Sequence, residues 1–138
     1  MWMREYLMEV KTSAEKIWKI WTDVENWREW AGGEIESSTI NGKFENGTFG
    51  ITKLINNSQS TFCLKDVVVN KSFTSQSKLP FCTVDFVHEL KNNDNGLTIK
   101  LGVRINGPLT CILKNIVGKK VAANLPIMAK KLAEMVKN

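Results

Sequence analysis

The sequence predicts an α+β domain in which one antiparallel sheet holds a long C-terminal helix against its concave face. Turn signals divide the middle of the chain into segments of strand length, and two of these alternate between apolar and polar residues. The last quarter, from Gly107 to Asn138, instead repeats apolar residues at steps of mostly three and four, as a long amphipathic helix does. A helix of that length needs the concave face of the sheet to bury its apolar stripe.

The first 33 residues predict one strand followed by two short helices. Residues 3–11 alternate in polarity, as a half-buried strand does. The sequence Thr-Ser-Ala-Glu at 12–15 has the form of a capping box, which marks the start of a helix. The apolar residues of the first helix are spaced to pack on a core: Ala14, Ile17, Trp18 and Trp21. Asp23 begins a second helix with Val24 and Trp27; Trp30 lies just beyond, and Ala31-Gly32-Gly33 ends it.

Residues 34–106 have the turn signals of antiparallel hairpins, because turn residues such as Asn-Gly pairs separate segments of strand length. The predicted strands cover roughly residues 34–40, 47–55, 60–69, 71–78, 81–91 and 96–106. In the two clearest strands the apolar face carries Cys82, Val84, Phe86, His88 and Leu90, and then Leu97, Ile99, Leu101, Val103 and Ile105. Together with the first strand, these segments give a sheet of seven strands.

The C-terminal helix begins after Gly107-Pro108, because proline ends a strand and is tolerated in a first helical turn. Its predicted inner stripe consists of Leu109, Ile112, Leu113, Ile116, Val117, Val121, Leu125, Met128, Leu132 and Met135. Pro126 removes one backbone donor, so the helix either kinks there or consists of two helices with a break near Gly118. In both cases the stripe faces the sheet.

Length and composition describe one globular domain over residues 1–138. A chain of this size buries a full core without metal or disulfide staples, and its hydrophobic share of 43% is ordinary for such domains. The N-terminus lacks the apolar core of a secretion signal, and no apolar run reaches transmembrane length. Three cysteines without a C-x-x-C pair suit reduced thiols. These observations favour a cytoplasmic protein.

The net charge of +5 is concentrated in the terminal helix. From residue 107 onward there are six lysines and one glutamate, and the rest of the chain is neutral. Such a basic amphipathic helix can contact a membrane surface or an acidic partner, or it can simply present a solvated outer face. Nucleic acid is disfavoured as a partner, because no reader motif accompanies the charge.

His88 is the only histidine, and its place on the apolar face of a strand directs it toward the helix. An inward histidine can act as a general acid or base, can orient a ligand, or can be a core residue paired with a neighbour. A metal site is disfavoured, because six residues of strand separate Cys82 from His88 by about 20 Å. The chain carries no phosphate-binding or dinucleotide-binding motif, so no cofactor is predicted.

Several motifs resemble those of the SRPBCC superfamily, the group of polyketide cyclases/dehydrases and lipid-transport proteins related to START domains and the birch pollen allergen. They are the segment from Thr12 to Trp18 leading into Asp23, Trp27 and Trp30; Phe44-Glu45-Asn46-Gly47-Thr48; His88-Glu89-Leu90; Gly107-Pro108-Leu109; and Leu125-Pro126. The resemblance covers nearly the whole chain and implies a helix-grip fold: a curved seven-stranded antiparallel sheet around the C-terminal helix. Members hold hydrophobic ligands in an interior cavity, and a minority catalyse cyclisation or dehydration there.

We therefore predict that a small hydrophobic or amphipathic ligand binds between the sheet and the terminal helix. Phe62, Phe73, Phe81 and Phe86 are expected to supply much of the apolar lining, and Trp27 and Trp30 are placed to close the cavity mouth or to pack in the core. The predicted ligand contacts are Trp30, Phe62, Phe86, His88, Leu101, Val103, Leu109, Ile112 and Ile116. The alternatives are a cyclase or dehydratase that uses His88, and a membrane-docking or partner-docking module that uses the basic helix.

Overall fold

The structure, a computed structural model, describes residues 1–32 and 34–137. The predicted turn residue Gly33 and the last residue, Asn138, lie outside these ranges. The elements in chain order are β1 (Trp2–Val10), α1 (Ala14–Thr22), a 3-10 helix (Val24–Glu29), β2 (Ile35–Ile40), β3 (Phe49–Leu54), β4 (Gln59–Val68), β5 (Ser72–Leu79), β6 (Cys82–Asn93), β7 (Gly96–Asn106), α2 (Thr110–Leu113), a π-helical turn (Lys114–Gly118) and α3 (Lys119–Met135).

The seven strands form one sheet in the order β1-β7-β6-β5-β4-β3-β2, and every neighbouring pair is antiparallel. Consecutive strands from β2 to β7 are joined as hairpins, and β1 closes the sheet beside β7. The two short helices lie between β1 and β2, and the C-terminal helix follows β7. The predicted α+β architecture is confirmed.

The alternation of β6 and β7 determines which side chains face the helix. His88 lies opposite Phe73 of β5 and opposite Leu101 of β7. All three side chains are buried, because their positions have the parity that faces inward. Asp85 has the opposite parity and faces outward, where its carboxylate accepts hydrogen bonds from Gln76 and Arg104. The inward direction predicted for His88 is confirmed.

Helix α1 is capped by Ser13, one residue later than the predicted capping box would place the cap. The Ser13 backbone is extended, and its hydroxyl accepts a hydrogen bond from the Lys16 amide at 3.4 Å. The hydroxyl of Thr12 is buried without a hydrogen-bond partner among the described residues. The helix lies against the core through Trp18 and Trp21, as its spacing predicts.

The C-terminal helix runs without a break from Thr110 to Met135, and Pro126 lies inside α3. In place of the predicted break near Gly118, the helix forms one π-helical turn over Lys114–Gly118. Gly118 is buried because the ring of Trp2 and the side chain of Ile105 lie where its Cβ would be. This close approach holds the helix on the β1 and β7 side of the sheet.

The predicted apolar stripe is wrong in part, because it combines two different faces of the helix. The face toward the sheet carries Leu109, Leu113, Val117, Val121, Leu125, Met128 and Leu132, which are buried or half-buried. Ile112, Ile116 and Met135 are exposed. Ile112 and Ile116 each lie one residue, about 100° of rotation, before an inner position. The predicted stripe therefore includes positions outside the buried face of the helix. No helix among the described residues combines the length and the apolar character that crossing a membrane requires.

Phe81 also differs from its predicted place in the apolar lining. Pro80 and Phe81 form the two-residue connection between β5 and β6, and Phe81 adopts a left-handed backbone with φ of 61°. Its side chain is 76% exposed. A turn residue lies outside the alternation of the strands, so parity places no constraint on the direction of its side chain.

Candidate ligand-binding cavity

A cavity of about 570 Å³ lies between the concave face of the sheet and one flank of the C-terminal helix. Its walls come from three parts of the chain. The end of the 3-10 helix and the loop after it contribute Trp27, Trp30, Ala31, Gly32 and Glu34; strands β2 to β6 contribute Ile35, Thr52, Leu54, Ser60, Phe62, Phe73, Ser75, Ser77, Phe86 and His88; the helix contributes Val117, Lys120, Val121, Ala123, Asn124, Ile127 and Met128. Most of these side chains are apolar, and polar groups interrupt the wall at a few places.

The inner end of the cavity is a cluster of aromatic rings. The Phe73 ring stacks on His88 with centroids 4.0 Å apart and planes 7° apart, and the Trp27 ring stacks on Phe73 with centroids 5.8 Å apart. Trp30 meets His88 edge-on at 5.8 Å. These rings come from the 3-10 helix and the residue after it on one side and from β5 and β6 on the other.

His88 is a neutral, buried imidazole in this cluster. Burial lowers its pKa from 6.5 to about 3, because the charged form would lose its hydration among aromatic rings. Backbone groups of Phe73 and Phe86 favour the charged form and offset only part of this shift. The Nδ1 atom of His88 and the indole Nε1 of Trp30 are buried without hydrogen-bond partners among the described residues. Leaving such groups unpaired costs about 1–3 kcal/mol each.

The hydroxyl groups of Thr52, Ser60, Ser75 and Ser77 form the polar part of the wall on β3 to β5. Ser38, Thr52 and Ser60 lie opposite one another on three adjacent strands, and the hydroxyls of Ser38 and Thr52 are 3.3 Å apart. Ser75 and Ser77 follow Phe73 on the inward parity of β5. Within the described residues, the hydroxyls of Ser60, Ser75 and Ser77 make no hydrogen bond to another side chain or to the backbone. These groups remain available to a ligand.

The mouth of the cavity is bridged by one ion pair between the helix and the loop before β2. The Lys120 Nζ atom lies 2.6 Å from the Glu34 Oε1 atom, and both side chains are exposed. The side-chain amide of Asn124, one turn further along the helix, lies against Gly32. Because water screens an exposed ion pair, this bridge contributes little to stability and opens at low cost.

The structure brings together four of the nine residues predicted to contact a ligand: Trp30, Phe62, Phe86 and His88 all line the cavity. The other five lie elsewhere. Leu101 and Val103 are buried on β7, where the helix covers the sheet directly, and Leu109 caps α2 and packs against the core. Ile112 and Ile116 are exposed, because each lies about 100° of rotation from an inner position of the helix.

Sequence reasoning missed the serines of β5 and the residues at the mouth. A signal for Ser75 and Ser77 existed, because they share the parity of Phe73 and therefore face inward with it. No local signal marks Glu34, Lys120 and Asn124, since they meet only through the packing of the helix on the sheet. Trp27 and Trp30, predicted either to close the cavity mouth or to pack in the core, are buried in the aromatic cluster at the inner end and also line the cavity wall.

The chemistry that this arrangement can support is recognition by shape and by a few hydrogen bonds. No carboxylate among the described residues hydrogen-bonds to His88, and Asp85 is engaged by Arg104 on the opposite face of the sheet. An imidazole with a pKa of about 3 is a weak base near neutral pH. In the part of the chain that the structure describes, no group of three histidine, cysteine or carboxylate side chains could hold a metal ion.

No protein-family model and no curated protein matches the sequence. Solved structures do match, over nearly the whole chain. Protein MLL2253 from Mesorhizobium loti has a TM-score of 0.78 at 13% identity, covering 98% of this chain and 96% of that one. The protein Ara h 8.0201 has a TM-score of 0.70 at 16% identity, covering 96% of this chain and 98% of that one. Norcoclaurine synthase from Thalictrum flavum has a TM-score of 0.73 at 14% identity, covering 98% of this chain and 86% of that one.

A fourth structure with this fold is the di-domain ARO/CYC protein StfQ from the steffimycin biosynthetic pathway. The match has a TM-score of 0.70 at 10% identity and covers 96% of this chain and 51% of that one. The set therefore includes enzymes as well as proteins whose names give no activity. At this level of identity the likeness is one of fold. The chain shares its fold with these proteins, and the predicted helix-grip fold is confirmed.

Proposed function

We propose that this protein binds a small amphipathic molecule in the cavity between the sheet and the C-terminal helix. The observation that carries the proposal is the cavity itself, whose volume of about 570 Å³ lies within the range of about 300–1,000 Å³ for small-molecule sites. Burial of the apolar part of the ligand against Phe62, Phe86 and the aromatic end wall supplies the binding free energy, at about 25 cal/mol per Å². Hydroxyls of the ligand pair with the serines of β4 and β5.

The unpaired polar atoms at the inner end support a ligand with one polar group there. Trp30 Nε1 is a donor, and His88 Nδ1 is a donor or an acceptor according to the tautomer of the ring. A carbonyl or hydroxyl oxygen near both atoms would satisfy groups that are otherwise unpaired. The preferred ligand therefore has an apolar body, one polar group at the inner end and hydroxyls directed at the serines of the wall.

Two proteins with this fold are named for chemistry, namely norcoclaurine synthase and the ARO/CYC protein StfQ. The geometry of this cavity supports binding more than acid–base catalysis. A general base needs a pKa near the working pH and usually a partner that orients it, whereas the pKa of His88 is about 3 and its neighbours are aromatic. We therefore favour ligand binding over catalytic turnover as the function of this cavity.

The test is native mass spectrometry of freshly purified protein, followed by solvent extraction of what it carries. A matched pair of variants locates the site: Ser60→Trp fills the cavity, whereas Thr61→Trp places the same side chain on the exposed outer face of β4. We expect a reproducible bound mass in the wild type and in Thr61→Trp, and its loss in Ser60→Trp.

A fluorescent probe provides the same comparison without the natural ligand. The amphipathic dye 1-anilinonaphthalene-8-sulfonate should bind the wild type and Thr61→Trp equally and should bind Ser60→Trp roughly tenfold more weakly, because the new indole occupies the ligand space. A wild type that carries no bound mass and does not bind the dye would refute the proposal. Equal dye binding by Ser60→Trp would refute the assigned location.

A further inference from the structure

An exposed apolar strip runs along the outer side of the C-terminal helix toward the cavity mouth. We define the strip as Phe81, Pro108, Ile112, Ile116 and Ile127. Phe81 is 76% exposed, and the three isoleucines are 55%, 64% and 53% exposed. Large apolar side chains scattered singly on a surface are normal, but a group of several on one surface marks an interaction site.

Phe81, Pro108, Ile112 and Ile116 are neighbours in space, and Ile127 lies further along the same side of the helix, beyond Lys119, Lys120 and Ala123. Phe81 and Pro108 line the same shallow surface groove at the start of the helix. Ile112 lies on the first turn after Pro108, and Ile116 lies one turn beyond it on the same side. Ile127 lies about three further turns along and forms part of the cavity wall. The strip therefore connects the Pro80–Phe81 hairpin tip with the mouth of the cavity.

Lysines accompany the strip along its whole length. Lys78 lines the same groove as Phe81, Lys114 and Lys119 flank the isoleucines, and Lys120 is at the cavity mouth. Glu34, the ion-pair partner of Lys120, is the one carboxylate that the described residues place in contact with these lysines. A row of apolar side chains flanked by lysines is complementary to a surface that is apolar within and anionic at its edge.

We propose that the strip docks the protein on an anionic lipid bilayer, with the cavity mouth facing the lipid. Docking in this way gives an apolar ligand a path between the bilayer and the cavity that avoids water. The statement that the cavity exchanges an apolar ligand with the bilayer rests on the proposed function. The statement that the protein contacts the bilayer rests only on the strip and its lysines.

Two observations favour a bilayer over other occupants of the strip. A second copy of the chain would bring two lysine-rich helices together, and like charges would oppose that contact. A second exposed apolar patch, Phe49 and Ile51 on the outer face of β3, has charges of both signs beside it, because Lys53 pairs with Glu36 on β2. The helix strip instead combines apolar exposure with an excess of positive charge.

The test is sedimentation of the full-length protein with vesicles of phosphatidylcholine that contain about one third phosphatidylserine. The strip variant carries Ile112→Ser and Ile116→Ser, and the control carries Phe49→Ser and Ile51→Ser, which remove a similar exposed apolar area elsewhere. We expect the wild type and the control to bind alike and the strip variant to lose roughly tenfold in partition constant, since each isoleucine transfers several methylenes to the lipid interface. Lys114→Gln with Lys119→Gln should weaken binding further and reduce its dependence on salt.

Dye binding without vesicles separates this inference from the proposed function. The strip variant should retain dye binding, and Ser60→Trp should retain vesicle binding. Failure of the wild type to sediment with anionic vesicles at low salt would overturn the proposal, as would equal losses in the strip variant and the control. If gel filtration shows a dimer that the strip variant abolishes, the strip belongs to an interface between copies, and the proposal is also overturned.

Discussion

The acid sensitivity of the fold provides a quantitative test of how His88 is buried. The pKa of His88 falls from 6.5 in the unfolded chain to about 3 in the folded protein. Below pH 6.5 His88 therefore binds a proton in the unfolded chain but stays neutral in the folded protein. The free energy of unfolding consequently decreases as the pH falls, until about pH 3. The slope for one proton is about 1.4 kcal/mol per pH unit, which gives a loss of about 2 kcal/mol between pH 7 and pH 5.

The assay is urea unfolding of the wild type and of His88→Gln at several pH values between 7 and 5. Glutamine is neutral throughout this range, so the variant should lose the histidine's contribution to the slope, whatever its stability at pH 7. Glu89→Gln, on the next residue of the same strand and exposed, should keep the wild-type slope. Parallel plots of unfolding free energy against pH for the wild type and His88→Gln would show that the imidazole takes up its proton in the folded state as well. Our account of its burial would then be wrong.

Two further predictions concern the sheet that shapes the cavity, and urea unfolding checks both. Gly50→Ala should cost about 1–3 kcal/mol, because the added methyl would overlap a phenylalanine ring on the next strand, whereas Gly102→Ala, with its nearest neighbours at 3.4–3.6 Å, should change stability by less than about 0.5 kcal/mol. Asp85→Ala should cost about 2–4 kcal/mol, because it removes the partner of Arg104 at a buried position; Glu36→Ala, in an exposed pair, should cost less than about 0.5 kcal/mol. Equal costs within either pair would contradict the packing or the charge argument, respectively.

The strands and the long helix could be predicted from sequence because their signals are local. Strict alternation in β6 and β7 requires one buried face, and the observed strand bounds, Cys82–Asn93 and Gly96–Asn106, lie within two residues of the predicted ones. The same alternation directed His88 inward. Such patterns report which side of an element is buried. They do not report what covers that side.

The differences between the predicted ligand contacts and the residues that line the cavity follow from this limit. Leu101 and Val103 are as apolar and as inward as Phe86, but the helix covers them, while a neighbouring flank of the sheet stays open. Ile112 and Ile116 are apolar, yet helix phase places them in solvent. Both outcomes depend on where the helix rests on the sheet, and that position is set by contacts between distant parts of the chain.

The position of the helix also explains why this interior is hollow. Gly118 lets the helix approach Trp2 and Ile105 closely, so the helix rests on the β1 and β7 side and fills it. On the opposite flank, the inward positions of β4 and β5 include Ser60, Ser75 and Ser77, which are too small to reach the helix. Large apolar residues at the three serine positions would close the cavity without changing the strand order, because their parity and register would be the same. The fold thus permits a cavity, and the small side chains on one flank of the sheet create it.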